Sequence, residues 1–352
     1  MAQATGLKAL TELQVGKEVT RGTLVAATRR IISPSATLQR IEVFHDFSEN
    51  MDGLLTRTSK APVKTRAGTE FDITWPADFE QILLPLLSGV KGGVTPTTPG
   101  TTPFPARLWT FTPEVAGDPA PDAYTYEFVE RSVDDRAEME AGYGVCTGFD
   151  IVSTNEGMSD ISMQAVARAT VDSTFTSAIA LPALTHAASA EWGVWIDDTW
   201  ANLGTTQISA QILGFTFTYR GAISVGNYLD NRSTLDFSQY EMGVRTADLT
   251  LDVVHDPDSA ALVQTQEAIK AAGTLLTVRL KLTGPAFIAP DAGLNRHVQI
   301  DGAYYHADDS MQTRGNDRDG NLITTLHLLS AYESVQAQDL EITVQNDLVT
   351  FP

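Results

Sequence analysis

The side chains most often used for catalysis or metal binding are few in this sequence and widely spaced. No histidine belongs to an HExxH motif or pairs with a cysteine at the spacing of zinc ligands. His306, Asp308 and Asp309 could form a metal site, but neighbouring strand positions face opposite sides of a sheet, which disfavours that interpretation. We therefore expect structural or surface roles for all six histidines, which are His45, His186, His255, His297, His306 and His327.

Three further motifs also have simpler structural explanations. Residues 316–321 (NDRDGN) faintly resemble a calcium loop, but the distal glutamate is missing and the stretch is typical of a hairpin turn. Cys146 lies between apolar neighbours, where a thiol is usually inert. Trp192, Trp195 and Trp200 could line a sugar site, but the first two differ in strand parity, which favours core packing. GxSxG, P-loop and GxGxxG motifs are missing too, so the sequence predicts no catalytic residue, metal site or cofactor, and no enzymatic activity.

The net charge of −20 is spread over the whole chain. Up to Ala190 there are 15 basic and 23 acidic residues, and after it 9 and 21, so both halves are acidic. Phosphate binding requires clustered Lys and Arg, so this balance argues against a nucleic-acid-gripping domain. Solubility through self-repulsion is the simpler explanation. A surface that must not hold a polyanion moving past it is the more specific one.

The remaining composition is that of a soluble globular protein, with 352 residues, 43% hydrophobic and 19% charged. No apolar run approaches the roughly 20 residues needed to cross a bilayer. Residues 1–18 lack the basic and apolar regions of a secretory signal. The single cysteine excludes an intrachain disulfide. We expect a protein made in a reducing cytoplasm, without membrane association.

Two stretches with the same pattern indicate an internal repeat. In residues 143–169 apolar side chains alternate on two arms around Asn155, Glu156 and Gly157, which predicts a β-hairpin. Residues 303–331 repeat this pattern of an alternating arm, a Gly/Asn/Asp turn and a second arm. The sequence therefore predicts a mainly β protein with two domains, 1–190 and 191–352.

Other elements follow the hairpins in matching order. Residues 78–88 predict a short amphipathic helix, matched by a helix at 258–272 that ends at Gly273. Residues 107–112 and 275–283 are matched as strands. Polar stretches at 48–68 and 220–245 predict long loops that order against a partner.

The succession of motifs resembles the tail tube (major tail) proteins of long-tailed, non-contractile bacteriophages. The resemblance is carried by residues 16–28 (GKEVTRGTLVAAT), 108–113 (LWTFTP), 124–127 (YTYE) and above all the hairpin 143–168. It implies two tandem tube domains, each made of two packed antiparallel sheets flanked by one short helix. Two such units per chain imply trimeric, pseudo-hexameric rings that stack into a tube, the conduit for DNA ejection. The virion tail is the implied location.

The resemblance also implies roles for individual residues. Acidic residues of the hairpins would line the channel and repel DNA, with Asp150, Asp160, Asp308 and Asp309 as candidates. The N-terminal arm and the two long loops would contact the adjacent ring, through Lys17, Glu18, Arg21, Asn50, Arg57, Lys60, Lys64, Asn231 and Arg232.

The implied partners are further copies of the chain, with tape-measure and tail-tip proteins during assembly. DNA would pass through without specific binding. The alternative is a tandem β-sandwich module that binds glycans or a cell surface. Such a module would need a cluster of exposed aromatic side chains together with a calcium loop, and it could be monomeric.

Overall fold

The structure, a computed structural model, confirms the predicted mainly β fold class, with 53% strand and 9% helix. It describes residues 11–45, 62–99, 105–118, 120–130, 138–208, 211–228, 233–254, 259–288, 291, 293–315 and 322–351. The predicted turn at 316–321 and His255 lie outside these residues.

The described chain contains twenty strands, which include the alternating arms of both predicted hairpins. The first ten are β1 (Thr11–Lys17), β2 (Arg29–Ile31), β3 (Ser35–His45), β4 (Val63–Pro76), β5 (Arg107–Phe111), β6 (Tyr124–Glu130), β7 (Met139–Thr154), β8 (Asp160–Ala167), β9 (Val171–Asp172) and β10 (Trp192–Asp197). The next ten are β11 (Gln207–Ile208), β12 (Ile212–Arg220), β13 (Ile223–Gly226), β14 (Gln239–Met242), β15 (Thr246–Val254), β16 (Leu276–Ala286), β17 (Asn295–His306), β18 (Gln312–Gly315), β19 (Leu322–Ser330) and β20 (Leu340–Asn346).

Two short helices flank the strands. Helix α1 (Leu83–Pro85) continues as a π-helical turn, Leu86–Val90, in which Lys91 N–H donates to the Leu86 carbonyl. All its residues are buried, so the predicted amphipathic character is wrong: the segment lies inside the protein and has no solvent face. Helix α2 (Ala260–Ala272) ends at Gly273 with φ of 62°, as predicted.

Eight strands of the described chain form one continuous antiparallel sheet. Their order is β3, β4, β8, β7, β12, β15, β19 and β18. The two halves of the chain meet at its centre, where residues 148–154 of β7 pair with residues 214–220 of β12. Strands β3 and β18 form the outer edges of this eight-stranded sheet.

Two smaller sheets cover one face of the eight-stranded sheet. One consists of β2, β1, β6, the start of β7 and β9, and the other of β11, β10, β16, β17, β20 and β5. Contacts between the layers include Phe71 stacked on Tyr126, with ring centroids 4.7 Å apart, and Trp192 edge-on to Phe215 at 4.9 Å. Together these sheets form a two-layered β-sandwich with one shared apolar core.

The pairing scheme of the first half recurs in the second. The N–H of Arg168, after β8, donates to the Gly142 carbonyl, and the N–H of Ala331, after β19, donates in the same way to the Ala303 carbonyl. One predicted correspondence is wrong. By its pairing, β16 matches β6, whereas residues 107–111 (β5) pair with β20 at the edge of the other half's sheet. The boundary between residues 190 and 191 stays a prediction.

The buried carboxyl group of Glu80 gives the fold a dependence on pH. Glu80 is 2% exposed, and its Oε2 accepts a hydrogen bond of 2.8 Å from Thr185 N–H. Burial raises the pKa of this carboxyl group from 4.5 to about 7. The protonated form is therefore favoured in the folded state. Its stabilising contribution is complete below the unfolded pKa and is lost as the pH rises through about 7.

We expect the Glu80 carboxyl group to lower the free energy of unfolding by about 2–3 kcal/mol as the pH rises from about 5 to about 8, measured as the difference between the wild type and Glu80→Gln, because buried His306 acts in the opposite direction in both proteins. Glu80→Gln should remove most of this decrease and should stabilise the protein at the higher pH. Chemical denaturation at several pH values measures it. The matched control is Glu267→Gln on the exposed side of α2. Equal pH dependence in the Glu80→Gln variant and the wild type would contradict the assignment.

Candidate functional site

The face of the eight-stranded sheet opposite the core is lined by small polar and acidic side chains. Burial alternates along these strands, so that Phe71, Ile151 and Phe217 point into the core while their neighbours point away from it. The outward-pointing residues of the five central strands make up what we call the polar face: Glu70, Asp72, Thr74, Asp150, Val152, Thr154, Asp160, Ser162, Gln164, Val166, Gly214, Thr216, Thr218, Arg220, Asp248, Thr250 and Asp252.

The polar face carries six carboxylates and one arginine. Arg220 Nη2 lies 2.9 Å from Asp150 Oδ2, so the arginine is neutralised by a neighbour on the next strand. The five other carboxylates give this face a negative potential, and that potential is strongest at low ionic strength.

Short side chains hydrogen-bond across the strands of the polar face. The Thr74 and Ser162 hydroxyl groups lie 2.9 Å apart, and Thr325 Oγ1 donates to Asp252 Oδ1 at 2.9 Å. The face as defined contains no aromatic side chain on which a base or a sugar could stack. Its net negative charge disfavours the binding of phosphate groups.

The structure places Asp150 and Asp160 on the polar face. Asp308 and Asp309 lie elsewhere: they belong to the turn between β17 and β18, not to a strand as predicted. The Asp309 carboxylate is 2.7 Å from Nδ1 of His327, which pairs with Thr250 at the border of the face.

Four carboxylates of the polar face were missed by sequence reasoning, namely Glu70, Asp72, Asp248 and Asp252. Their alternation with buried residues is visible in the sequence. Which parity faces the core becomes clear only once strand pairing is known.

The predicted inter-ring residues that the structure describes all have partners within the chain. Lys17 Nζ is 2.7 Å from Asp122, Arg21 Nη2 donates to the Pro121 carbonyl, and Lys64 is paired with Glu42. Glu18 is buried, and its carboxylate accepts hydrogen bonds from Gly22 N–H, Thr125 Oγ1 and Tyr143 N–H, so it anchors a loop. Asn50, Arg57, Lys60, Asn231 and Arg232 lie outside the described residues, and an inter-ring role remains a prediction.

The long loop predicted at 220–245 is partly a β-hairpin that packs on the first half. Strands β13 and β14 pair with each other, and Ile223 and Phe237 are buried against Tyr143 and Val145. The expectation of a long loop is therefore wrong for the described part, which forms two strands and contributes buried apolar residues. Two apolar side chains within the polar stretch take part in a small core with the first half.

The other residues singled out for chemistry have structural environments. Cys146 is fully buried, and burial raises the pKa of its thiol to about 12. His306 lies between Ser310 Oγ and Gln266 Oε1, and burial lowers the pKa of its imidazole to about 4. Trp192 packs on Phe215. Within the described residues no three His, Cys, Asp or Glu side chains are placed to hold a metal ion.

Comparison with known proteins adds no family to this description. No protein-family model matches the sequence, and neither does any curated protein. None of the helices in the described part of the chain is both long and apolar enough to cross a membrane.

The potential of the polar face can be measured at a cysteine placed in its centre. We expect Thr216→Cys to react about tenfold faster with a cationic than with an anionic methanethiosulfonate reagent at low ionic strength, because the surrounding carboxylates concentrate cations. Buried Cys146 should stay unreactive. Thr265→Cys on exposed α2 is the matched control and should show a smaller ratio. Equal ratios at the two positions, or a ratio insensitive to salt, would refute a focused negative potential.

Proposed function

We propose that this protein is a structural subunit of a bacteriophage tail tube, with no enzymatic activity. Copies join edge to edge into trimeric, pseudo-hexameric rings whose polar faces line a channel, and the rings stack into a conduit for DNA ejection. The observation that carries the proposal is the eight-stranded sheet: its five central strands present an acidic face free of aromatic side chains, and its two edges have no partner strand among the described residues.

The join between the halves of the chain supplies a pattern for joining whole chains. Strand β12 opens the second half of the sheet and pairs with β7. Strand β3 opens the first half in the same way, and among the described residues its outer edge has no partner strand. At the far edge β18 takes the place of β7, because it pairs with β19 as β7 pairs with β8. Pairing β3 of one copy with β18 of another repeats the internal join and gives both edges a partner strand.

Three copies joined in this way would form a closed barrel of 24 strands. With a strand spacing of about 4.8 Å and a tilt of about 40°, the backbone of such a barrel is roughly 45–50 Å across. That leaves room for a DNA duplex inside the lining side chains. A negative lining without stacking residues keeps the duplex from binding as it moves.

A tube subunit needs no motif for catalysis, metal binding or nucleic-acid binding, and the chain has none in its sequence. Its partners are copies of itself, together with tape-measure and tail-tip proteins that start and measure the tube. DNA is a passing cargo. The virion tail is the proposed location.

Electron microscopy of the concentrated, purified protein tests the proposal directly. We expect rings or stacked tubes with three-fold or pseudo-six-fold end views. Tip proteins are added to a second sample, because assembly in this class can await a nucleus. Compact monomers in both samples would refute the proposal.

Disulfide crosslinking tests the join between copies. The internal pair Thr216–Val152 predicts that Thr37 of one copy lies opposite Arg314 of the next. Thr37→Cys mixed with Arg314→Cys should give an intermolecular disulfide, and Thr216→Cys with Val152→Cys in one chain is the intrachain positive control. Crosslinking no faster than in a Gln39→Cys and Arg314→Cys mixture, which shifts the register by two residues, would exclude this pairing.

A further inference from the structure

The hairpin formed by β13 and β14 shows how one half of the chain holds the other. It leaves the end of β12 and crosses the ends of the first half's strands. Arg168 fastens it, since Nε donates to the Phe237 carbonyl and Nη2 to the Ser238 carbonyl, each at 3.1 Å. Ala67 N–H also donates to the Leu235 carbonyl, and Phe237 packs on Tyr143 with ring centroids 5.2 Å apart.

The second half has an open cleft at the corresponding place. Ala331 takes the position of Arg168, because Ala331 N–H donates to the Ala303 carbonyl as Arg168 N–H donates to the Gly142 carbonyl. Arg245 takes the position of Ala67 when the pairing of β15 with β12 is aligned with the pairing of β4 with β3. Ala331 and Arg245 both line a cleft of about 380 Å³. Its rim contains the apolar residues Val115, Met242, Val244 and Tyr332, and Val244 is 91% exposed.

In the first half, the hairpin formed by β3 and β4 takes the position that the docked β13–β14 hairpin has in the second half. The pairing of β4 with β8 begins only at Thr69. Residues 63–68 of β4 and their partners, residues 41–45 of β3, therefore extend past the sheet as a two-stranded ribbon. This ribbon exposes the apolar side chains of Val43, Phe44 and Val63.

The ribbon of the same chain cannot fill the cleft. Strand β3 is six strand spacings away from β19, which corresponds to about 29 Å across the sheet. A β3 strand that pairs with β18 of another copy, however, lies beside the cleft, just as β12 lies beside the site where the β13–β14 hairpin docks. The occupant that matches the position is therefore a second copy.

We propose that the cleft of Val115, Met242, Val244 and Tyr332 is the docking site for the β3–β4 ribbon of a laterally adjacent copy. The inference rests on the proposed tube function and adds a second, apolar contact to the pairing of strand edges. The ribbon's Lys64 pairs with Glu42 of the ribbon and Glu114 of the cleft pairs with Lys91, so the proposed contact is chiefly apolar. Both apolar surfaces would be removed from water by the same contact.

Crosslinking between two single-cysteine variants tests the contact. Phe44→Cys mixed with Val244→Cys should form a disulfide-linked dimer about tenfold faster than Phe44→Cys mixed with Ile288→Cys, because docking raises the effective concentration of the two thiols. Ile288 is a matched control, since it is 82% exposed and lies outside the cleft. Each variant alone should remain uncrosslinked.

Charge substitution provides an independent test of the docking site. Val244→Asp should fold normally, because its side chain is exposed in the single chain, and should lose ring formation in electron micrographs, whereas Ile288→Asp should retain it. The docking site would be overturned if Val244→Asp still formed tubes and the Phe44→Cys and Val244→Cys variants did not crosslink. That result would leave the proposed tube function standing. Wild-type protein that forms neither rings nor tubes, even with tip proteins, would instead refute the function itself.

Discussion

The structure depends on the backbone hydrogen bonds between β7 and β12. They join the two halves of the chain into one sheet and thereby bring two polar surfaces into a single continuous face. Side chains reinforce the join, since Phe149 on β7 packs against Phe217 and Tyr219 on β12. A second connection lies in the other layer, where β5 of the first half pairs with β20. The halves are therefore held together in both layers of the sandwich.

Several loops around this sheet are held by charged side chains that bind backbone groups. Glu127, for example, accepts hydrogen bonds from Ala27 N–H and from the N–H and hydroxyl of Thr176, so one carboxylate holds two crossing segments. Several short hydrogen bonds offset the cost of burying a charge and fix the position of a loop that has little apolar surface. Glu18 and Arg168 act in the same way at neighbouring loops.

The two halves differ most where one covers the other. Helix α1 is buried in the interior, and Phe79 just before it packs against Gly284 of the second half. Helix α2 is covered less by the described residues, and along it only Val263 and Gln266 are buried. The same contrast separates the docked β13–β14 hairpin from the extended β3–β4 ribbon. Surfaces that are internal in one half are external in the other.

The sequence by itself determined the local features of this protein. Alternation of apolar residues predicted the strands and the mainly β fold, the Asn-Glu-Gly segment predicted the turn after β7, and Gly273 predicted the end of α2. Each of these depends on neighbouring residues only. The tertiary structure decided which parity of each strand faces the core, because a shift of one residue exchanges the two faces and only pairing with other strands selects between them. It also decided that α1 is buried, that Ile223 and Phe237 are buried against the first half, and that Asp308 and Asp309 lie in a turn. These outcomes depend on contacts between residues far apart in the chain, which no local pattern records.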